Sequence, residues 1–319
     1  MTALLQVRDL AVRIGAAWPV DGISFALNAG EVLGIVGESG SGKTLTLRAI
    51  LRLLPSHAQT TGVAQWHGRD LLRMPEAEIR CVRGREIAMI FQEPMAALDP
   101  VLPIGLQITE SLAAHRAMRG AEARRRAIEL LDRVGIPRAG RRLDSYPHEF
   151  SGGMRQRAMI AIALAVEPKL LLADEPTTAL DVTIQDQILR LLLRLRDELA
   201  MSVILVTHDL GIVAGTCDRV AVLYAGRIME SGPTRAVFRA PAHAYTLGLM
   251  RSVPHETQSR QRLLGISGAP PDAGQMPPGC RFAPRCRLAI SACSEAPPAL
   301  RQVGTWHDSA CLRAELVAG

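Results

Sequence analysis

Short runs of apolar residues, uninterrupted by charged side chains, recur along the chain and predict buried β-strands. A strand covered on both faces has such a continuous run, whereas a half-exposed strand alternates apolar and polar residues. We therefore predict an α/β fold with a mainly parallel sheet and covering helices. The predicted strands are Val32–Val36, Ile87–Phe91, Leu170–Ala173, Val203–Val206 and Val220–Tyr224.

Helical periodicity dominates other parts of the chain. Amphipathic helices are predicted at Asp186–Ala200 and at Ala121–Val134, each with apolar residues on one stripe and charged residues on the other faces. The whole segment from about residue 94 to 166 has a helical pattern, which predicts a helical insertion in the α/β core. After Ala240 recurring prolines break any long element, so we expect the core to end there and Pro254–Gly279 to be a linker.

Composition and charge change this picture little. The 319 residues carry a net charge of +6, but the arginine clusters are short and lack interleaved aromatic residues, so we expect solvated helix faces and no nucleic-acid partner. No apolar run approaches the ~20 residues of a membrane-spanning helix, and the N-terminus lacks a signal-peptide pattern. These features predict a cytosolic protein that could still dock on a membrane protein.

A phosphate-binding loop directly follows the first predicted strand. Its glycines allow backbone N–H groups to surround phosphate oxygens, its lysine reaches the terminal phosphates, and its threonine hydroxyl suits Mg²⁺. The chain has only two lysines, so a lysine at this position of an arginine-rich chain is informative. The sequence therefore predicts that a nucleoside triphosphate is bound by Gly37, Glu38, Ser39, Gly40, Ser41, Gly42, Lys43 and Thr44.

Two adjacent acids, Asp174 and Glu175, end the predicted strand that begins at Leu170. We expect Asp174 to face the magnesium ion and Glu175 to polarise the water that attacks the γ-phosphate. The segment Phe150–Arg157 resembles the signature of ATP-binding-cassette (ABC) proteins. It ends 17 residues before Asp174. In that family Ser151, Gly152 and Gly153 would contact the γ-phosphate held by a partner cassette, although Phe150 and Met154 replace the usual leucine and glutamine.

The resemblance implies further roles. Gln92 would touch Mg²⁺ and water, Ala179–Asp181 would form the D-loop, and His208 would be the switch histidine near the γ-phosphate. It implies an ABC nucleotide-binding domain over residues 1–240, with an N-terminal antiparallel β-subdomain and a helical subdomain at about 94–166. The family usually stacks adenine on an aromatic residue where this chain has Ile14, and Trp18 is either its substitute or an edge-strand residue.

Residues 241–319 form a separate proline-rich extension with four cysteines spaced C-x5-C-x6-C-x17-C: Cys280, Cys286, Cys293 and Cys311. Four thiolates fit zinc or an iron–sulfur cluster, and a cytosolic location disfavours disulfides. The segments Phe91–Pro100, His243–Thr246 and Cys280–Cys286 are similar to those of the D-type ATPase subunit of bacterial dipeptide and oligopeptide importers. That resemblance implies a [4Fe–4S] cluster, with Zn²⁺ as the alternative.

The same resemblance implies a function and partners. The chain would power import of di- or oligopeptides, lying peripherally at the cytoplasmic face of the inner membrane. Its partners would be two transmembrane permease subunits, a paralogous ATPase subunit and, indirectly, an extracytoplasmic substrate-binding protein. Glu93–Pro100 and the helical insertion would receive a permease's coupling helix. The alternatives are nickel, glutathione or another small solute as cargo and, less favoured, an ABC ATPase that acts on nucleic acid.

Overall fold

The computed structural model describes residues 3–93, 97–178, 180–252 and 265–317. It divides into two compact units: the first comprises Met1–Arg73 and Val206–Gly319, and the second comprises Met74–Leu205. The described strands, in chain order, are β1 (Leu5–Ile14), β2 (Ala17–Leu27), β3 (Val32–Val36), β4 (Ala58–Trp66), β5 (Arg69–Asp70), β6 (Ile87–Ile90), β7 (Leu170–Asp174), β8 (Ser202–Thr207), β9 (Arg219–Tyr224), β10 (Arg227–Pro233), β11 (Arg301–Gly304) and β12 (His307–Ser309).

The five predicted strands are present as β3, β6, β7, β8 and β9, with ends shifted by at most one residue. The helices are largely where the periodicity predicts them. In chain order the described α-helices are α1 (Lys43–Ile50), α2 (Glu76–Val82), α3 (Ile104–Arg116), α4 (Gly120–Arg133), α5 (Ala139–Arg142), α6 (Gly152–Leu164), α7 (Val182–Leu199), α8 (Leu210–Thr216), α9 (Thr234–Arg239), α10 (Ala244–Arg251) and α11 (Ala314–Val317).

The first unit contains two kinds of sheet. An antiparallel sheet has the strand order β2-β1-β4-β5 and forms the N-terminal β-subdomain. Next to it in sequence, β3 pairs in parallel with β9, and β10 pairs antiparallel with β9. The C-terminal hairpin of β11 and β12 then adds to β10, with Glu230 opposite Ser309. The proline-rich extension therefore contributes strands to the sheet of the first unit, which the sequence did not predict.

The second unit pairs β6 in parallel with β7, with Ile87 opposite Leu170, and adds helices α2 to α7. Every residue of β7 is buried, as its continuous apolar run predicts. Helix α7 begins four residues earlier than predicted because the Asp181 carboxylate caps it, accepting a hydrogen bond from the Ile184 N–H at 2.9 Å. Among the described residues, no helix combines the length and apolar character needed to cross a membrane.

Candidate functional site

The phosphate loop joins β3 to α1 and requires glycine at two positions. Gly42 has φ +97°, and a Cβ there would lie 2.5 Å from the Pro19 carbonyl oxygen. A Cβ on Gly37 would overlap the Leu223 carbonyl oxygen. Because side chains cannot enter this space, the main chain is free to turn its N–H groups inward. Glycine at these two positions is what a phosphate-binding loop of this type requires.

Lys43, the first residue of α1, is 5% exposed, and its ammonium group lies inside the loop. The Nζ atom donates to the carbonyl oxygens of Gly37 at 2.9 Å and Glu38 at 3.0 Å. The hydroxyl oxygen of Ser41 is buried and has no hydrogen-bond partner among the described residues. A triphosphate would supply the acceptor that this hydroxyl lacks. Thr44 follows directly in α1.

In the second unit the predicted acids lie at the end of β7. Asp174 is fully buried as the last residue of the strand, and Glu175 follows with φ +46°, in the left-handed region that non-glycine residues seldom adopt. The Oε2 atom of Glu175 accepts hydrogen bonds from Gln92 Nε2 at 3.1 Å and from Thr178 Oγ1 at 2.8 Å. The structure therefore brings together Gln92 and Glu175, which are 83 positions apart.

Thr178 is a site residue that the sequence reasoning missed. It lies three residues after Glu175 in the turn that follows β7, and its N–H also donates to the Glu175 carbonyl at 3.2 Å. A threonine at this spacing after an acid is the available sequence signal, because a turn brings residues i and i+3 together.

The signature segment begins helix α6 of the second unit. Ser151 is the N-cap residue, and its hydroxyl accepts from the Met154 N–H at 3.4 Å. Gly153 lies against α7, because a Cβ there would be 2.9 Å from the Ile184 side chain. Ser151 and Gly152 are exposed at the helix N-terminus. The described geometry leaves these groups accessible at the positive end of the helix dipole.

His208 lies in the first unit, directly after β8, and is exposed. The next residue, Asp209, caps α8 by accepting from the Gly211 N–H at 2.7 Å and the Ile212 N–H at 3.2 Å. Three of the sequence predictions fall partly outside the described residues. The parts concerned are the D-loop residue Ala179, residues 94–96 of the segment 93–100, and residues 254–264 of the predicted linker.

Trp18 lies on β2 and is 38% exposed, with the Arg13 guanidinium 5.8 Å above its ring. The next residue, Pro19, places its carbonyl against Gly42 of the phosphate loop. Ile14, at the expected adenine position, ends β1 and pairs with Ala17. Trp18 thus lies two residues from Val20, whose side chain would be 3.2 Å from a Cβ on Gly42.

The four C-terminal cysteines all line one cavity of about 20 Å³. Burial raises the pKa of the Cys280 thiol to about 11 and also raises the pKa of Cys286 and of Cys311. Backbone N–H groups point at two of the sulfurs: Leu288 N donates to Cys286 Sγ and Arg313 N to Cys311 Sγ, each at 3.4 Å. The donor type fits a thiolate-bound metal, yet no group of three or more His, Cys, Asp or Glu side chains in the described residues is arranged to hold one.

Comparison with known proteins identifies the family. Residues 20–178 match the model of the ABC transporter family, and residues 229–293 match that of the oligopeptide/dipeptide transporter C-terminal region. A dimeric ATP-binding cassette in a post-hydrolysis state, bound to ADP and phosphate, has a TM-score of 0.65 and 29% identity, covering 72% of this chain and 99% of its own. The chain belongs to the ABC transporter ATPases.

Its full-length relatives narrow this assignment. A putative peptide import ATP-binding protein of Brucella abortus is 51% identical over 306 residues, covering 94% of this chain and 92% of the relative. The oligopeptide transport ATP-binding protein OppD of Salmonella typhimurium is 49% identical over 299 residues, covering 92% and 89%. Together with the matched C-terminal region, this makes the chain an ATP-binding subunit of the oligopeptide/dipeptide transporter type. The family and fold predicted from the sequence are confirmed.

Proposed function

We propose that this chain hydrolyses ATP to power the import of di- or oligopeptides through a membrane permease. The observation that carries the proposal is the similarity, at 49% to 51% identity over more than nine-tenths of the chain, to proteins named for peptide import. The match of residues 229–293 supports it, because that region is described for oligopeptide and dipeptide transporters rather than for ABC proteins in general.

In the proposed binding step, the N–H groups of the phosphate loop and the Lys43 ammonium hold the phosphates of ATP. The buried Ser41 hydroxyl and the positive N-terminus of α1 support this role. Oxygen atoms of Thr44, Gln92 and Asp174 would hold Mg²⁺, which supplies charge neutralisation to the phosphates when bound. Trp18 is the proposed stacking partner for adenine, because it is 38% exposed and the next residue, Pro19, lies against Gly42 of the loop.

In the proposed hydrolytic step, Glu175 orients water for attack on the γ-phosphate and accepts its proton. The hydrogen bonds from Gln92 and Thr178 hold the carboxylate in one orientation, which supports this role. His208 would donate to the γ-phosphate. Ser151, Gly152 and Gly153 would bind the γ-phosphate of a nucleotide held by a second cassette.

The proposed assembly contains two transmembrane permease subunits, a paralogous ATPase subunit and an extracytoplasmic substrate-binding protein as indirect partner. The chain would lie at the cytoplasmic face of the inner membrane, with Glu93–Pro100 and helices α3 to α6 as the permease-binding surface. We also propose the division into a nucleotide-binding domain, residues 1–240, and an extension, residues 241–319. The dimeric form of the similar cassette supports the pairing of two ATPase chains.

We propose that Cys280, Cys286, Cys293 and Cys311 bind a [4Fe–4S] cluster, with Zn²⁺ as the alternative. Their common cavity and the N–H groups directed at Cys286 and Cys311 support the proposal, because such hydrogen bonds favour the thiolate form that metals require. The sulfurs would have to approach one another on binding, since the described residues contain no preformed metal-binding group.

One experiment tests the partners and the metal on the same sample. The chain is purified anaerobically from its own membranes in mild detergent, the copurifying proteins are identified by mass spectrometry, and iron, zinc and sulfide are quantified. We expect two multispanning permeases, a second cassette and about four irons per chain, reduced in Cys286→Ser but not in the matched control Cys81→Ser, an exposed cysteine outside the cluster. Nucleic-acid proteins without a permease would contradict the transport function.

Cargo is tested on the reconstituted complex with its binding protein. Peptides are expected to stimulate phosphate release, whereas nickel and glutathione are not. Stimulation by nickel or glutathione alone would replace peptide as the cargo while leaving the ATPase assignment intact.

A further inference from the structure

The second residue of the phosphate loop, Glu38, is bound by the C-terminal extension. Arg285 Nη1 donates to Glu38 Oε2 at 2.7 Å and Arg285 Nη2 donates to Glu38 Oε1 at 3.2 Å. The Arg285 side chain is only 7% exposed and that of Glu38 is 24% exposed. A bidentate arginine–carboxylate pair with this burial is more specific and stronger than an exposed ion pair.

The Arg285 guanidinium is itself fixed by its surroundings. Its Nη1 also donates to the Tyr224 hydroxyl at 3.1 Å, its Nε donates to the Ser267 carbonyl at 2.9 Å, and its carbon lies 5.9 Å from the centre of the Phe282 ring. Several contacts on one planar group leave it little rotational freedom. Arg285 therefore holds Glu38 from a rigid position.

The backbone of Glu38 is held as well. Its N–H donates to the Tyr245 hydroxyl at 2.9 Å, and Tyr245 is fully buried on α10. The Tyr245 ring packs against Tyr224 at 4.6 Å and Phe282 at 5.3 Å between ring centroids. Side chain and main chain of Glu38 thus depend on the same aromatic cluster.

A second arginine of the Cys280–Cys286 segment reaches the other side of the loop. Arg281 donates to the Ala225 carbonyl and pairs with Asp21. The neighbouring Gly226 donates its N–H to the Ser41 carbonyl at 3.0 Å. Arg281 and Arg285 therefore both contact the phosphate loop or residues next to it, although they lie more than 200 positions away in sequence.

We propose that Arg285 is a positioning residue for nucleotide binding. It fixes Glu38, whose carbonyl accepts from Lys43, and it neutralises the Glu38 carboxylate, which would otherwise repel a triphosphate. Nucleotide affinity consequently depends on the folded C-terminal extension. The inference rests on the proposed binding of ATP phosphates by residues 37–44.

The test is the equilibrium affinity of the full chain for a fluorescent ATP analogue with Mg²⁺. Arg285→Ala is expected to weaken binding about tenfold, that is by about 1.4 kcal/mol. Arg285→Lys, which keeps the charge but loses the bidentate fork, should lie between Arg285→Ala and wild type. Arg287→Ala is the matched control, because this exposed arginine lies two residues away on the same segment.

A charge-removal variant separates positioning from general loss of structure. If Arg285 acts through Glu38, the double variant Arg285→Ala with Glu38→Gln should recover the part of the lost affinity that the unpaired carboxylate causes, and raised salt should narrow the deficit of Arg285→Ala alone. Affinity of Arg285→Ala within twofold of wild type, or no recovery in the double variant, would overturn the inference. Failure of the wild-type chain itself to bind the analogue would instead reject the proposed phosphate-binding role.

Discussion

The phosphate loop and the turn after β7 hold their glutamates in contrasting ways. The carboxylate of Glu38 is paired with a buried arginine from the C-terminal extension, whereas the carboxylate of Glu175 accepts hydrogen bonds from the neutral donors Gln92 and Thr178. An arginine partner neutralises an acid and fixes it, whereas an amide or a hydroxyl donor orients a carboxylate without neutralising it. The two environments therefore favour a structural role for Glu38 and a chemical role for Glu175.

The backbone is also held differently at Glu38 and at Glu175. The Glu38 N–H donates to the hydroxyl of the buried Tyr245, and the Gly37 carbonyl of the same loop accepts a hydrogen bond from the Lys43 ammonium. Glu175 instead lies in the left-handed region and is followed by a turn that Thr178 closes. The phosphate loop is therefore supported by groups distant in sequence, whereas Glu175 combines a local contact from Thr178 with a distant one from Gln92.

The largest expected effect separates the two acids directly. Glu175→Gln should lower phosphate release by at least about 10³-fold while ATP binding is retained, because an amide cannot accept the proton of the attacking water. Phosphate release and analogue binding are measured on the same preparation. At saturating ATP the matched variant Glu38→Gln should release phosphate far faster than Glu175→Gln, because it alters the support of the phosphate loop and not the proton acceptor. Undiminished release by Glu175→Gln would reject its catalytic role.

The support of the phosphate loop includes a histidine, His243, that makes the stability of the fold sensitive to acid. His243 is fully buried, accepts from the Tyr245 N–H at 3.1 Å, and burial lowers its pKa to about 4. The imidazole is therefore neutral in the folded chain, while the unfolded chain takes up its proton below pH 6.5. Stability is fully present above this pH and falls by up to about 3 kcal/mol as the pH drops towards 4.

We propose to measure this loss by urea unfolding at pH 7.5 and at pH 4.5, on either side of the ordinary histidine pKa of 6.5. His243→Asn keeps a side-chain acceptor for the helix N-terminus but cannot titrate, so its stability should depend less on pH. An equally steep dependence in the variant would show that other groups cause the acid sensitivity.

The smallest expected effect concerns the orientation of Glu175. Thr178→Val removes the hydroxyl that donates at 2.8 Å, and we expect kcat to fall about fivefold, or roughly 1 kcal/mol, with little change in ATP affinity. Thr178→Ser keeps the hydroxyl and should retain most of the activity. Equal losses in the two variants would mean that the methyl group, not the hydrogen bond, matters at this position.

Prediction from the sequence succeeded for elements whose pattern is local and unambiguous. The strands β3 and β9 were predicted to within one residue because β3 is buried at every position and β9 at every position after Arg219. The hairpin β11–β12 was missed because it is short and β11 is exposed, so neither strand has a diagnostic apolar pattern. The start of α7 was missed because a cap residue lies outside the apolar periodicity that predicted the helix.

The amino-acid sequence by itself was sufficient to predict the phosphate loop, the acid pair Asp174–Glu175 and the signature at Ser151, since each depends on neighbouring residues and local backbone geometry. Only the tertiary structure decided that Arg285 binds Glu38 across 247 positions, that Thr178 and Gln92 share one oxygen of Glu175, and that four cysteines line one cavity. The reason is physical: a local motif fixes backbone conformation within a few residues, whereas the partner of a distant side chain is chosen by packing of the whole chain against the entropy of closing long loops.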